Sequence, residues 1–134
     1  MIKRRIPAQA LQKALCALLD ACQTTAVYEY IKPDTRPPYI TFGEISASLA
    51  GGKTDSIYDA IVDIEIYSTV HTRREVNEIM NDIATVLSSA RLDMSTDGYA
   101  AADQDIVDMR TYPSEAEGYN GVIRINIQIQ DMEE

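Results

Sequence analysis

The chain of 134 residues has few of the side chains that most often carry chemistry: one histidine, two cysteines and no tryptophan. A Ser–His–Asp arrangement would depend on His71 alone, no Cys–His pair is plausible, and no glycine-rich dinucleotide turn is present. One histidine cannot hold zinc unaided, and Cys16 and Cys22 fall on a distant predicted helix at a spacing that points them apart. We therefore expect no enzyme, no metal site, no cofactor and no intrachain disulfide, with both thiols as small core residues.

Long apolar runs and a broad basic surface are also missing. No apolar stretch approaches the ~20 residues that span a bilayer. The net charge is −9, with residues 1–53 at +3 and residues 54–134 at −12. Such a chain is ill suited to gripping phosphates, so we do not expect direct nucleic-acid binding. The start MIKRR imitates an export signal, but polar residues interrupt the apolar stretch that follows, so export is not expected.

Two patterns invite a ligand site, and each has a plainer explanation. ASLAGGKT (47–54) fits a relaxed phosphate-binding loop, which needs a helix after it. Here a strongly alternating stretch follows, so we interpret residues 45–56 as an interstrand loop. Asp59, Asp63 and Glu65 share one strand face, but an extended strand spreads its carboxylates too far for a calcium loop. They are expected to form an acidic strip that faces solvent or a partner.

Hydrophobic periodicity predicts a single α+β domain over residues 1–134. The order is α-β-β-β-α-β-β, with a largely antiparallel (mixed) sheet of four to five strands and two helices packed on one face. Thr72 and Glu75 have the spacing of a capping box at the start of the second helix. The predicted helices are 7–22 and 72–90, and the predicted strands are 26–31, 38–44, 56–68, 104–112 and 121–130.

The last strand, GVIRINIQIQ (121–130), has two very different faces. Its isoleucines fall on one side and must face a core. The other side carries a single charge and three amides, contributed by Arg124, Asn126, Gln128 and Gln130. A solvent-facing strand in so acidic a chain could carry more charge, so this second face needs an explanation.

Three stretches in a fixed order resemble the tail completion (tail terminator) proteins of long-tailed bacteriophages and prophages. They are PYITFGE, VDIEIYSTVHTRREVNEIMNDIATVL and EGYNGVIRINIQI, and the resemblance covers roughly residues 8 to 130. Tyr67 stands where tryptophan is commoner in the family, and the face of Asp59, Asp63 and Glu65 is more acidic than the resemblance leads us to expect.

The resemblance implies a structural virion protein and not an enzyme. Such subunits form a hexameric ring that caps the tail tube and joins it to the neck of the head. The implied partners are further copies of the chain, the tail tube protein and the head-neck connector proteins, with DNA passing through without specific binding. The implied location is the tail or neck of the virion, after assembly in the bacterial cytoplasm.

If the protein forms a ring, the amide face acquires a role. A face that meets a neighbouring subunit should avoid unpaired charge and favour groups that both donate and accept hydrogen bonds. Another head-tail joining (neck or stopper) component stays open as an alternative, as does a monomeric small-ligand-binding α+β domain with residues 45–56 as a lid. The candidate subunit or partner interface residues are Asn126, Gln128, Gln130, Asp59, Asp63, Glu65, Ser48, Leu49 and Lys53.

Overall fold

The computed structural model describes residues 6–50, 57–69, 71–115 and 117–132. Its four strands form one sheet in which every neighbouring pair is antiparallel, in the order β1-β2-β4-β3. The predicted α+β class and antiparallel sheet are confirmed, with four strands in the observed order α-β-β-α-β-β. In chain order the elements are α1 (Ala8–Cys22), β1 (Tyr39–Leu49), β2 (Ile57–Ser68), α2 (Arg74–Ser89), β3 (Tyr99–Pro113) and β4 (Tyr119–Asp131).

Both helices pack on the same face of this sheet, and the core lies between the two layers. Alternation places every second residue of β2 and β4 toward the helices, and apolar residues three and four apart form the matching stripes on α1 and α2. The fully buried large side chains include Leu11, Leu15 and Leu19 of α1, Ile83 of α2, Ile64 and Ile66 of β2, and Ile123, Ile125, Ile127 and Ile129 of β4.

Helix α2 lies close against the sheet at Gly121. A Cβ atom added there would lie 2.7 Å from Sδ of Met80 and 2.9 Å from Cγ2 of Val76. Both distances are shorter than any ordinary carbon contact, so glycine lets the start of β4 lie directly under α2. This contact fixes which face of β4 is covered, and therefore which face is left open.

The predicted strand at 26–31 does not form. Val27 makes one isolated parallel bridge to Ile40, through hydrogen bonds from the Tyr28 amide to the Ile40 carbonyl (2.9 Å) and from the Ile40 amide to the Ala26 carbonyl (2.8 Å). The Thr41 hydroxyl then donates to the Tyr28 carbonyl at 2.8 Å, and β1 shifts register between residues 42 and 45. The ladder therefore ends after a single bridge.

The predicted loop 45–56 and the predicted capping box also need correction. Residues 45–49 belong to β1, which runs on to Leu49, while residues 51–56 lie outside the described residues. Helix α2 begins after Arg73 without a capping hydrogen bond from that side chain. Glu75 instead accepts a hydrogen bond from the Ser68 hydroxyl at 2.6 Å, which ties the first turn of α2 to the end of β2.

Candidate functional site: the open face of the sheet

The sheet face opposite the helices, called the open face below, brings together the two groups of residues singled out in the sequence. Strands β2 and β4 are neighbours, and their register sets Asp59 directly opposite Gln128 and Asp63 directly opposite Arg124. Glu65 lies opposite Val122 on the same face. The acidic strip (Asp59, Asp63 and Glu65) and the row of β4 residues beside it, called the amide row below (Arg124, Asn126, Gln128 and Gln130), are therefore adjacent columns of a single surface.

The arginine of the amide row is paired within the chain. Arg124 Nε donates to Asp63 Oδ1 at 2.8 Å and its Nη2 donates to Oδ2 at 3.1 Å, a two-point ion pair. These hydrogen bonds and the attraction of Asp63 raise the pKa of Arg124 above its already high value, and Glu44 and Asp108 act in the same direction. The single cation of β4 is thus engaged by its own subunit.

Strand β3 adds two carboxylates that sequence periodicity could not place on this face. Asp105 lies opposite Asn126, and Asp108 lies opposite Arg124. The two aspartates are three residues apart, which would put them on opposite faces of a regular strand, but β3 shifts register between residues 106 and 108. Arg110, which pairs with Asp108 at 3.1 Å, is the second arginine of the face.

The open face is therefore acidic rather than neutral. Its two arginines each have a carboxylate partner, so carboxylates remain in excess. The carboxylates contributed by β2 and β3 are Asp59, Asp63, Glu65, Asp105 and Asp108. Viewed alone, β4 suggested a face chosen for the absence of charge, but its neighbours supply that charge.

A row of tyrosines crosses one end of the open face. Tyr39 stacks on its cross-strand partner Tyr67 with ring centres 5.1 Å apart, and Tyr28 meets Tyr39 edge-on at 6.1 Å. The Tyr67 hydroxyl donates to Glu65 Oε1 at 3.0 Å. Burial, followed by this hydrogen bond, raises the pKa of Tyr67 to about 12. Tyr112 lies two strands further along, on β3, and both Tyr112 and Tyr67 lie opposite Asn120 of the intervening β4.

Asn126 has an unusual environment within the amide row. Its carbonyl oxygen Oδ1 is buried and has no hydrogen-bond partner among the described residues. Ile61 and Asp105 are its two cross-strand partners, and neither side chain can donate to it when Asp105 is ionised. A buried acceptor left in this way costs roughly 1–3 kcal/mol, so a partner that donates a hydrogen bond here would be favoured.

Two of the remaining candidate residues, Ser48 and Leu49, lie at the far end of the β1–β2 pair. Ser48 is exposed and lies opposite Asp59, while Leu49 lies opposite Tyr58 and is 55% exposed. Lys53 lies outside the described residues. In the stretch 47–54, residues 47–49 end β1 and residues 51–54 lie outside the described residues. The next described element is β2, a strand and not a helix.

The other chemically notable groups are dispersed. His71 is exposed, and its Nε2 lies 3.3 Å from Oε1 of Glu117. Cys16 is half-buried, and that burial raises the pKa of its thiol, whereas Cys22 is exposed and so is not the core residue expected. In the described ranges no three metal-binding side chains come together, and neither helix is long and apolar enough to cross a membrane.

A cavity of about 330 Å³ lies at the end of α2, against the part of β3 where the strand shifts register between residues 101 and 104. Gln104 fills part of this corner: its Nε2 donates to the carbonyls of Leu87 and Ala90, each at 2.7 Å, and its Oε1 accepts from the Leu92 amide at 3.3 Å. The side chain thereby caps the helix end. This explains the polar lining of the cavity without a ligand.

The described part of the chain thus presents a broad, charged sheet surface that neither helix covers. The chain belongs to the tail completion protein gp17 family, whose sequence profile matches residues 9–130. The resemblance identified in the sequence is confirmed. The family is one of structural virion proteins and not of enzymes, so this chain is a structural tail protein.

The fold recurs in a solved virion. A chain in the structure described as the virion of native gene transfer agent (GTA) particle superposes with a TM-score of 0.74 at 17% identity. The match covers 92% of this chain and 96% of that one. No curated protein matches the chain. At this identity the likeness establishes the common fold alone.

Proposed function

We propose that the chain is the subunit of a hexameric ring that closes the phage tail tube and joins it to the neck of the head. The observation that carries the proposal is a tail completion fold in which none of the described elements covers the open face of the sheet, a face that is rich in carboxylates. Membership of the family supports a location in the phage tail. The open face supports an assembled state in which this surface has a defined neighbour.

In this ring the open face lines the channel. Five carboxylates and two already paired arginines would be costly to bury against another copy, because charges removed from water need partners of opposite sign. Facing a water-filled channel, the same charges stay hydrated and repel the phosphates of passing DNA, so the DNA slides instead of binding. Asn126, Gln128 and Gln130 then belong to the channel wall together with Asp59, Asp63 and Glu65.

A second arrangement is favoured by one specific observation, the buried Oδ1 of Asn126, for which the described part of the chain offers no hydrogen-bond partner. A donor from a neighbouring subunit would satisfy this atom, and the adjoining amides could pair in both directions. In this arrangement the amide row is a contact between subunits, as the sequence alone led us to expect. The variants of Gln128 described in the Discussion distinguish the two arrangements.

The ring itself is tested by mass. Purified protein is measured by native mass spectrometry and sedimentation, alone and with a purified tail tube protein, and particles are viewed by negative stain. We expect a closed ring that binds one end of the tube, and a stopper-type neck component would form a ring that does not bind it. A particle that stays at 14.9 kDa under every condition would refute the ring and favour a monomeric ligand-binding domain.

A further inference from the structure

The two edge strands of the sheet are open along most of their length. Strand β3 has no strand on its outer side among the described residues. Among the described residues, the outer side of β1 makes backbone hydrogen bonds only through Ile40, to the segment around Val27, where the Thr41 hydroxyl also donates to the Tyr28 carbonyl. The backbone of residues 41–49 is therefore left without a neighbouring strand on that side. Each edge therefore presents a row of backbone N–H and C=O groups, which natural sheets cover, charge or pair.

Large apolar side chains are exposed along these edges. Val107 and Met109 on β3 are 57% and 54% exposed, and Leu49 at the end of β1 is 55% exposed. Exposed apolar residues along a free edge favour pairing with another chain, and the charges that β3 also carries, Asp105, Asp108 and Arg110, lie on its open face.

The directions of the two edges suit one another. Because neighbouring strands alternate in direction across the four-stranded order, β1 and β3 run in opposite directions. A second copy placed with its β1 beside β3 of the first would continue the alternation, and the new pair would be antiparallel like every other pair in the sheet.

The residues at the two ends of each row of cross-strand partners are also chemically compatible. On the helix side one row reads Ile45, Val62, Ile125, Ile106 from edge to edge. On the open side the adjoining row reads Ser46, Ile61, Asn126, Asp105. If the two edges join so that each row continues into the next copy, Ile45 of one copy lies beside Ile106 of the next. In the adjoining row the hydroxyl of Ser46, a hydrogen-bond donor, lies beside the exposed carboxylate of Asp105.

We propose that the free edge of β3 pairs in antiparallel fashion with residues 41–49 of β1 in the next copy, so that the sheets of successive copies join into one. This rests on the proposed ring and names the surfaces that form it. The occupant is a second copy because the two edges differ and complement each other. A contact between two unlike patches of one chain repeats around a ring until it closes and leaves no free edge.

The register of the joint is limited by the two faces. A slip of one residue would turn the apolar row of one copy toward the open face of the next, so only slips of two residues keep the core side continuous. The partner of Asp105 is accordingly Ser46, or Ser48 if the strands are staggered by two. Both serines are exposed, as is Asp105, so all three accept substitution without disturbing the core.

Disulfide trapping tests the joint. In a background with Cys16→Ser and Cys22→Ser, Asp105→Cys is combined in one chain with either Ser46→Cys or Ser48→Cys and oxidised after assembly. Within a subunit the two positions are three strand spacings apart, roughly 14 Å, beyond the ~7 Å that a disulfide spans. Any disulfide between them must therefore join two copies.

We expect one of the two pairs to give a ladder on non-reducing denaturing gels that ends at the size of the ring, with the single variants giving no ladder. Rings that form without disulfides from either pair would overturn the edge joint and leave the proposed ring standing. Dimers from Asp105→Cys alone would also overturn it, because they show two β3 edges paired with each other. A chain that never assembles would remove both proposals.

A charge placed on the edge gives an independent readout. Met109→Lys should leave the melting temperature of the monomer nearly unchanged, since the side chain is already half exposed, but should reduce ring formation at least tenfold. Met132→Lys is the matched control, because Met132 is 60% exposed and lies just after the last residue of β4. Equal ring formation by the two lysine variants would overturn the joint at β3.

Discussion

Gln128 is the position at which the stability of the subunit and the assembly of the ring can be separated. Its cross-strand partner is Asp59, which is exposed. Replacing Gln128 with lysine or with glutamate places opposite charges at the same site, directly across from one carboxylate. Glutamate is nearly isosteric with glutamine, so the core behind the strand, at Ile127 and Ile129, is not disturbed.

The expected change in subunit stability follows from the pairing. Charges directly opposite each other on antiparallel strands contribute roughly 0.2–1 kcal/mol, favourable for unlike signs and unfavourable for like signs. Because Asp59 is exposed and screened by water, we expect the lower half of this range. The Gln128→Lys subunit should therefore melt about 1–4 °C above the Gln128→Glu subunit, and 1 M salt should reduce the gap.

Thermal and urea unfolding of the monomer measure this difference, and the same pair in an Asp59→Asn background completes a double-mutant cycle. The gap between lysine and glutamate should shrink once Asp59 is neutral. A gap that is the same in both backgrounds would refute the pairing of β2 with β4 at this register.

Assembly of the same two variants then distinguishes the channel from the subunit contact. If the open face lines the channel, both variants form rings as well as the parent, and the lysine rings gain affinity for double-stranded DNA at low salt. If Gln128 lies between subunits, both variants bury an unpaired charge and lose rings, since such a charge typically costs several kcal/mol. Normal ring formation by both variants would therefore eliminate the amide row as a subunit contact.

Three further outcomes concern the subunit itself. Gln104→Met should lower the free energy of unfolding by about 1–3 kcal/mol, because the carbonyls at the end of α2 lose their donor, whereas the exposed Gln130→Met should stay within about ±0.5 kcal/mol; equal effects in urea unfolding would contradict the capping role. Gly118→Ala should lower the melting temperature by more than 5 °C, because φ is +82° there and the added Cβ would lie against the Ser68 carbonyl oxygen; a change under 2 °C would disprove that contact. In a spectrophotometric titration, Tyr67→Phe should remove one phenol that ionises near pH 12. The fold favours the neutral phenol, so the contribution of Tyr67 to the stability of the folded subunit is complete below pH 10 and is lost as the pH rises toward 12. An unchanged titration curve in the variant would refute this assignment.

The sequence alone determined the elements in which apolar residues recur at one regular spacing without interruption. The stripes of α1 and α2 and the alternation of β2 and β4 each reflect a single period, and an apolar row with one period has only one face to bury. Those four elements lie within a few residues of their predicted bounds. The order of stretches along the chain also carried the family resemblance, which needs no knowledge of contacts.

The tertiary structure decided everything that depends on which strands are neighbours. Phe42 and Ile45, like Asp105 and Asp108, share a face at a spacing of three only because each strand shifts register between them. Strand order sets Asp59 beside Gln128 and Asp105 beside Asn126, although each pair is far apart in the chain. A face that looked neutral along β4 is consequently acidic in the sheet, because the charge of a sheet face depends on which strands are neighbours. The hydrophobic period of a single strand does not determine its neighbours.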